Sequence, residues 1–206
     1  MISDSRKIQK FGFTSENKEY KKILYLGTHI TKKSLDVGFY YFNVTNWFWD
    51  LIESVYNSEE LTNAINNYKH CLKQNSEIES NRNALILCLQ KHGIVINDLI
   101  GLCEYSGSKD EQIIYAVPNN GKDGFHDVPS LMKEADLIVV NGLGLYKNRV
   151  KEKSARYYMN EFGFDTLVDE SKIVYVYGST PGKPGLEAKK ENWSNTIKEA
   201  IGDIKV

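Results

Sequence analysis

No apolar run in this 206-residue chain approaches the roughly 20 residues that a membrane-crossing helix needs. The longest runs, such as Leu137–Val140, are far shorter. The N-terminal stretch MISDSRKIQK is polar and charged, unlike a secretory signal. Cysteine is scarce, and Cys71, Cys88 and Cys103 form neither a CxxC pair nor an even set. Buried free thiols in a reducing, cytoplasmic setting are the simplest expectation. Three cysteines also cannot supply a self-contained four-cysteine iron–sulfur site. Metal-ligand spacing is absent, and His70, His92 and His126 fall in unrelated segments, as surface or helix histidines do. No metal and no cofactor are implied. Excess positive charge is missing too: 26 Lys and Arg stand against 27 Asp and Glu, for a net charge of −1. That balance speaks against a strongly basic nucleic-acid footprint. A few lysines around a small cleft would still be compatible with DNA.

What is present suffices for a core, with 41% hydrophobic and 26% charged residues. The length fits a single domain over 1–206, with 1–20 as a partly extended N-terminal arm. Four short apolar runs have the continuous hydrophobicity of strands covered on both faces: Ile23–Leu26, Ile94–Ile96, Leu137–Val140 and Ile173–Tyr177. Between them lie segments of helical character at Trp47–Tyr56, Leu61–Leu72, Asn83–Lys91, Val128–Glu134, Lys147–Glu161 and Glu187–Ile201. This alternation predicts an α/β fold, a three-layer α/β/α sandwich around a mostly parallel four-stranded sheet. Such sheets bind ligands beyond the carboxyl ends of their strands. Three of the four runs end on glycine-bearing turns, at Gly27, Asn141-Gly142 and Gly178-Ser179.

Residues 21–52 concentrate the chemistry. A strand runs into Gly27, where the backbone can turn sharply and approach a ligand. Tyr40-Tyr41 follows, and Asn46 opens a helix rich in aromatics, Trp47, Phe48 and Trp49. Free amides, a flat aromatic surface and a carboxamide thus converge near one strand end. A carboxamide both donates and accepts, which suits a base edge, and an aromatic ring can stack on a base taken out of a duplex. Asparagine before a helix is also a common N-cap, and a Tyr-Tyr pair is common in cores. The stretch Gly178–Gly185 lacks the GK[ST] ending of a phosphate-binding P-loop. NGLGLY, residues 141–146, lacks the third glycine of a dinucleotide fingerprint.

Taken whole, the segment ILYLGTHITKKSLDVGFYYFNVTNWFW resembles the hypoxanthine (deoxyinosine)-DNA glycosylase branch of the uracil-DNA glycosylase superfamily. The pattern of that branch runs roughly ILGSMPGxxSLxxxxYYAHPxNxFW. Gly27, Ser34-Leu35, Tyr40-Tyr41, Asn46 and Phe48-Trp49 match in place, without a gap from Ile23 to Trp49. Downstream, GIVINDLIGLCEYSGSKD is similar to the family's GIAVWDVLxxCxReGSLD, holding Gly93, Asp98, Cys103, Gly107-Ser108 and Asp110. LIVVNG, then VYVYGSTPGKPG with the later Trp193, resemble its remaining segments, and Gly12-Phe13 its upstream Gly-Phe.

The resemblance implies a monofunctional DNA glycosylase. Its substrate would be a flipped-out uracil, hypoxanthine or bulkier modified base, and its partner DNA. It implies that Asn46 is catalytic, that Tyr41 stacks on the base, and that Gly27 and Thr28, with Tyr40 alongside, form the base pocket. The GSTPGKPG loop, with Ser179, Thr180, Gly182 and Lys183, would meet the DNA backbone, as would Lys32. Three departures stand out: His29-Ile30-Thr31 for Met-Pro-Gly, Phe42-Asn43-Val44 for Ala-His-Pro, and Tyr177-Gly178 for Leu-Pro. His29 stands where other branches place a water-handling Asp or Asn, and an imidazole can serve as a base at neutral pH. His29 is therefore a candidate catalytic residue; the alternative is a histidine packed under the loop. The expected setting is a cytoplasmic monomer, compatible with nucleoid-associated activity. Two other functions compete. One is a glycosylase-fold module that binds DNA or a nucleotide without excision. The other is an enzyme using the same pocket on free nucleosides or nucleotides.

Overall fold

The computed structural model describes residues 1–15, 19–42, 46–106, 112–143, 145–146, 149–150 and 153–202. Asn43, Val44, Gly107, Ser108, Asp110 and Gly144, named above, lie outside the described residues.

The chain opens with β1 (Ile2–Asp4), then enters the central sheet with β2 (Ile23–Gly27). Four helices follow: α1 (Lys32–Val37), α2 (Phe48–Tyr56), α3 (Glu59–Gln74) and α4 (Ile78–Lys91). Next come β3 (Ile94–Asp98), β4 (Ile100–Tyr105), β5 (Ile113–Pro118), α5 (Val128–Glu134) and β6 (Leu137–Asn141). A two-residue pair, β7 (Leu145–Tyr146) and β8 (Arg149–Val150), precedes α6 (Ala155–Glu161), β9 (Ile173–Val176) and α7 (Leu186–Ile201).

The central sheet has the order β3-β2-β6-β9, parallel throughout. Every residue of β2 and β3 is buried, because both faces are covered. On one face Ile23, Tyr25, Ile94, Ile96, Leu137 and Val139 meet a core that includes Trp49, Leu51, Leu61, Leu85 and Trp193 from the helices. On the other, Leu24, Leu26, Val95, Ile138 and Val140 meet Val128 and Met132 of α5, Ala155 and Met159 of α6, and Cys103 of β4. This is the expected three-layer α/β/α arrangement.

Helix starts follow local chemistry. Thr31, Ser58, Asp127 and Ser154 each accept a first-turn amide, satisfying donors that a helix leaves unpaired. Asn57 and Asn75 end α2 and α3 in the left-handed region.

The structure departs from the sequence pattern in three places. A second sheet, β1-β4-β5, is antiparallel, so Ile2–Asp4 is a paired strand with Ile2 opposite Glu104. The helix expected over Lys147–Glu161 begins only at Ala155: Arg149-Val150 pairs with Leu145-Tyr146, and Ser154 caps the helix at the Tyr157 amide, 3.2 Å away. Lastly, His70 is exposed, but His92 and His126 are buried: both His92 ring nitrogens find partners, whereas of the His126 ring only Nδ1 is engaged and Nε2 has no hydrogen-bond partner among the described residues. His92 Nδ1 donates to the Cys88 carbonyl at 2.9 Å and its Nε2 meets Ser58 Oγ at 2.9 Å. His126 Nδ1 meets the Tyr40 hydroxyl at 3.1 Å. The three cysteines are buried free thiols, and no helix among the described residues is long and apolar enough to cross a membrane.

Burial first, and then the Lys10 charge, lower the pKa of His126 from 6.5 to about 4. On acidification the unfolded chain takes up this proton near pH 6.5, whereas the native site refuses it until about pH 4. Native stability therefore falls as pH drops through that window, by about 3 kcal/mol from this residue. Urea denaturation of wild type and His126→Gln between pH 7 and pH 4 should show the variant losing correspondingly less; an equal loss in both would contradict this account.

Candidate functional site

Parallel register sets the strand ends side by side. Gly27 lies opposite Asp98, and because Leu26 pairs with Val140, β6 ends level with Gly27 at Asn141, beside Val176. A cleft of about 150 Å³ opens at these carboxyl ends. Pockets for drug-sized ligands run to roughly 300–1,000 Å³, so this one is scaled to a fragment such as a single ring system.

Gly27 forms the floor. A Cβ at this position would sit 1.9 Å from the Tyr41 hydroxyl and 2.2 Å from Asp98 Oδ1, so only glycine lets both groups close over the strand end. The carbonyls of Gly27 and Thr28 accept the Leu99 and Ile100 amides at 2.9 and 3.0 Å, which pins the loop to the start of β4.

Tyr41 forms one wall with its backbone at φ +58, a region that aromatic residues seldom occupy. Its ring stacks on Phe48 with centroids 4.0 Å apart at 12°, and its hydroxyl donates to Asp98 Oδ1 at 3.4 Å. Strain of this kind persists where surrounding contacts over-determine it, and it clusters at ligand sites. Tyr40 borders the same cleft, but its hydroxyl is engaged with Asn97 Oδ1 and His126 Nδ1, each at 3.1 Å. Burial, with the Asp98 charge adding to it, pushes the Tyr40 pKa well up and keeps the group protonated.

Asn46 sits at the start of α2, and its Oδ1 accepts the Phe48 amide at 2.8 Å. The bond to the first amide of α2 and the cleft position are thus compatible. That bond fixes the carboxamide, and its Nδ2 remains a donor beside the cleft. His29 is buried at the cleft edge, tilted against Tyr105 with centroids 5.1 Å apart. Its Nδ1 lies 3.1 Å from the Ile30 carbonyl. A carbonyl only accepts, so Nδ1 donates to it.

The opposite wall comes from the segment after β9. Ser179 donates its amide to Asn141 Oδ1 at 2.9 Å and takes Asn141 Nδ2 on its hydroxyl at 3.0 Å. The Ser179 hydroxyl proton is thereby left to donate. Its carbonyl accepts the Trp47 amide at 3.0 Å, joining this wall to the start of α2.

Of the residues singled out from the sequence, Gly27, Thr28, His29, Tyr40, Tyr41, Asn46, Ser179 and Thr180 border one cleft. Lys32, Gly182 and Lys183 do not; all three are exposed, Lys32 at the first turn of α1 and the other two beyond Thr180. Asp98 and Asn141 border the cleft but were given no role from sequence. Their signal was present: each ends a buried strand, where ligand-binding groups collect. Among the described residues no group of three or more His, Cys, Asp or Glu is arranged to hold a metal ion.

A solution NMR structure of a candidate uracil DNA glycosylase from Methanosarcina acetivorans is similar to this chain, with a TM-score of 0.52 over 97% of this chain and 99% of that one, at 18% identity. The two share a fold. No protein-family model matches the chain, and no curated protein matches it significantly.

Gly27→Ala should cost roughly 1–3 kcal/mol, as over-packing does, because the new methyl group collides with both Tyr41 and Asp98. Urea denaturation measures the cost, and near-ultraviolet circular dichroism reports the Tyr41–Phe48 stack. A variant matching wild type in both would show that the floor is not closed in this way.

Proposed function

We propose that the chain is a monofunctional DNA glycosylase that hydrolyses the N-glycosidic bond of a flipped-out deaminated or modified base. One observation carries the proposal: Gly27, His29, Tyr41, Asn46 and Ser179, drawn from distant parts of the chain, border a single cleft of ring-system size. The shared fold with the Methanosarcina acetivorans protein supports it.

In the proposed reaction the base enters against the Tyr41 ring. The sugar C1′ develops oxocarbenium character as the C1′–N bond breaks, and the bonding pair moves onto the base nitrogen. Donors fixed before the reaction stabilise that charge without reorganising, and Asn46 Nδ2 is such a donor. Water adds to C1′ and loses its proton to His29 Nε2; the base nitrogen takes a proton from solvent. Asp98, an acceptor when ionised, favours bases presenting a ring or exocyclic N–H toward β3. The Ser179 hydroxyl and the segment through Thr180 would meet a phosphate flanking the lesion.

Asn46→Ala should lower single-turnover cleavage by on the order of 100-fold or more, the usual cost of one prearranged donor. His29→Ala should lower it by a similar factor if the imidazole is the base. The substrates are oligonucleotides carrying uracil, hypoxanthine, xanthine or modified cytosines, with abasic sites revealed by alkali. Full activity in Asn46→Ala would sink the assignment, and unchanged turnover in His29→Ala would remove only the catalytic role of His29. A second reading, binding without excision, draws on the commitment of Asn46 Oδ1 to the α2 amide. Wild type that binds these oligonucleotides yet cleaves none would favour it.

A further inference from the structure

The side chain that ties the two walls of the cleft together is a lysine that does not itself line it. Lys189 lies in the first turn of α7 and is only 4% exposed. Its Nζ donates to the Gly178 and Thr180 carbonyls, both at 2.6 Å, and lies 5.4 Å from the centroid of the Trp47 ring.

Two general costs oppose a lysine at this place. A buried ammonium loses its hydration, and a cation in the first turn of a helix opposes the helix dipole. Burial accordingly lowers its pKa. A residue that breaks local rules twice calls for a gain elsewhere, and such conflicts concentrate at functional sites. The gain is visible in what the ammonium holds. With the Gly178 and Thr180 carbonyls on Lys189 and the Ser179 carbonyl on the Trp47 amide, three successive acceptors are turned into the protein. The Ser179 hydroxyl proton is left for the cleft. One turn further along α7, Asn192 Oδ1 accepts the Tyr177 amide at 2.9 Å and Trp193 Nε1 donates to the Tyr177 carbonyl at 2.7 Å. Positions 189, 192 and 193 share one helix face, so a single face of α7 grips the whole segment from 177 to 180.

We infer that Lys189 is a positioning residue, whose buried ammonium locks the Gly178–Thr180 wall to the start of α2 and so sets Asn46 and Ser179 at a fixed separation across the cleft. Its consequence for DNA rests on the glycosylase reading above; the clamp itself does not. The phosphate-facing cations are then to be sought among exposed lysines such as Lys183, while Lys189 acts through the backbone it holds.

The test compares wild type, Lys189→Met, Lys189→Arg and, as a control, Lys183→Ala. Amide hydrogen exchange reads the clamp without any substrate. Lys189→Met should speed exchange at Trp47 and Ser179 at least tenfold and leave Val139, in the sheet core, unchanged. Lys189→Arg should restore protection to within threefold. Binding to a duplex bearing a tetrahydrofuran abasic analogue, measured across salt, should weaken at least fivefold in Lys189→Met with the wild-type salt slope; loss of a direct phosphate contact would instead lower the slope by about 0.9. Unchanged exchange at Trp47 and Ser179, equal acceleration at Val139, or a reduced salt slope would each overturn the proposal. If wild type neither binds nor cleaves any oligonucleotide, the glycosylase reading falls, and the exchange data still decide the clamp.

Discussion

Without a Cβ at Gly27, a tyrosine hydroxyl and a carboxylate can meet directly over the end of a buried strand, and the cleft is organised around that contact. Parallel register brings Asp98 level with Gly27, and the left-handed backbone at Tyr41 turns its ring back to reach them. Phe48 then fixes the ring from behind. Each group answers a demand made by another. The stack holds the strained tyrosine, the tyrosine donates to the carboxylate, and glycine leaves room for both. Preorganisation of this kind is what catalysis by fixed donors requires, because nothing must reorganise as charge develops.

The opposite side of the cleft solves a different problem. Where a strand ends in a loop, its backbone groups lose their ladder partners and must be satisfied some other way. Between 177 and 180 this falls to side chains of α7, to Asn141 and to the Trp47 amide. The loop has no regular structure, yet its position is tightly specified. The start of α2 is treated similarly: Asn46 spends its carboxamide oxygen on the helix, which leaves the amide end oriented.

Much of the site was legible because Gly27 and Ser179 sit at strand ends marked by glycine, and Tyr41 and Asn46 lie in the segment that follows Gly27. Gly27, Tyr41, Asn46 and Ser179 could be singled out from an ungapped pattern and from the rule that open α/β sheets bind ligands there. Asp98 escaped notice as a site residue because its significance lies in its register with Gly27, which is a pairing between strands far apart in sequence. Lys32 and Lys183 follow from the family resemblance and from their charge, and neither says which way an exposed side chain faces once the chain has folded. Lys189 gave no signal, since a lysine in an amphipathic helix looks solvated until its helix is docked.

Local sequence by itself determined the four parallel strands, most of the helices and the aromatic segment that leads into α2. Those features follow from hydrophobic continuity, capping residues and glycine placement within a few residues of each other. The β1-β4-β5 sheet, the burial of His92 and His126, and the conversion of Lys189 into an internal clamp were decided only by tertiary structure. The physical reason is common to all of them. Each depends on hydrogen bonds or burial between residues remote in the chain, and such partners exist only once the sheet has closed its register and the helices have packed against it.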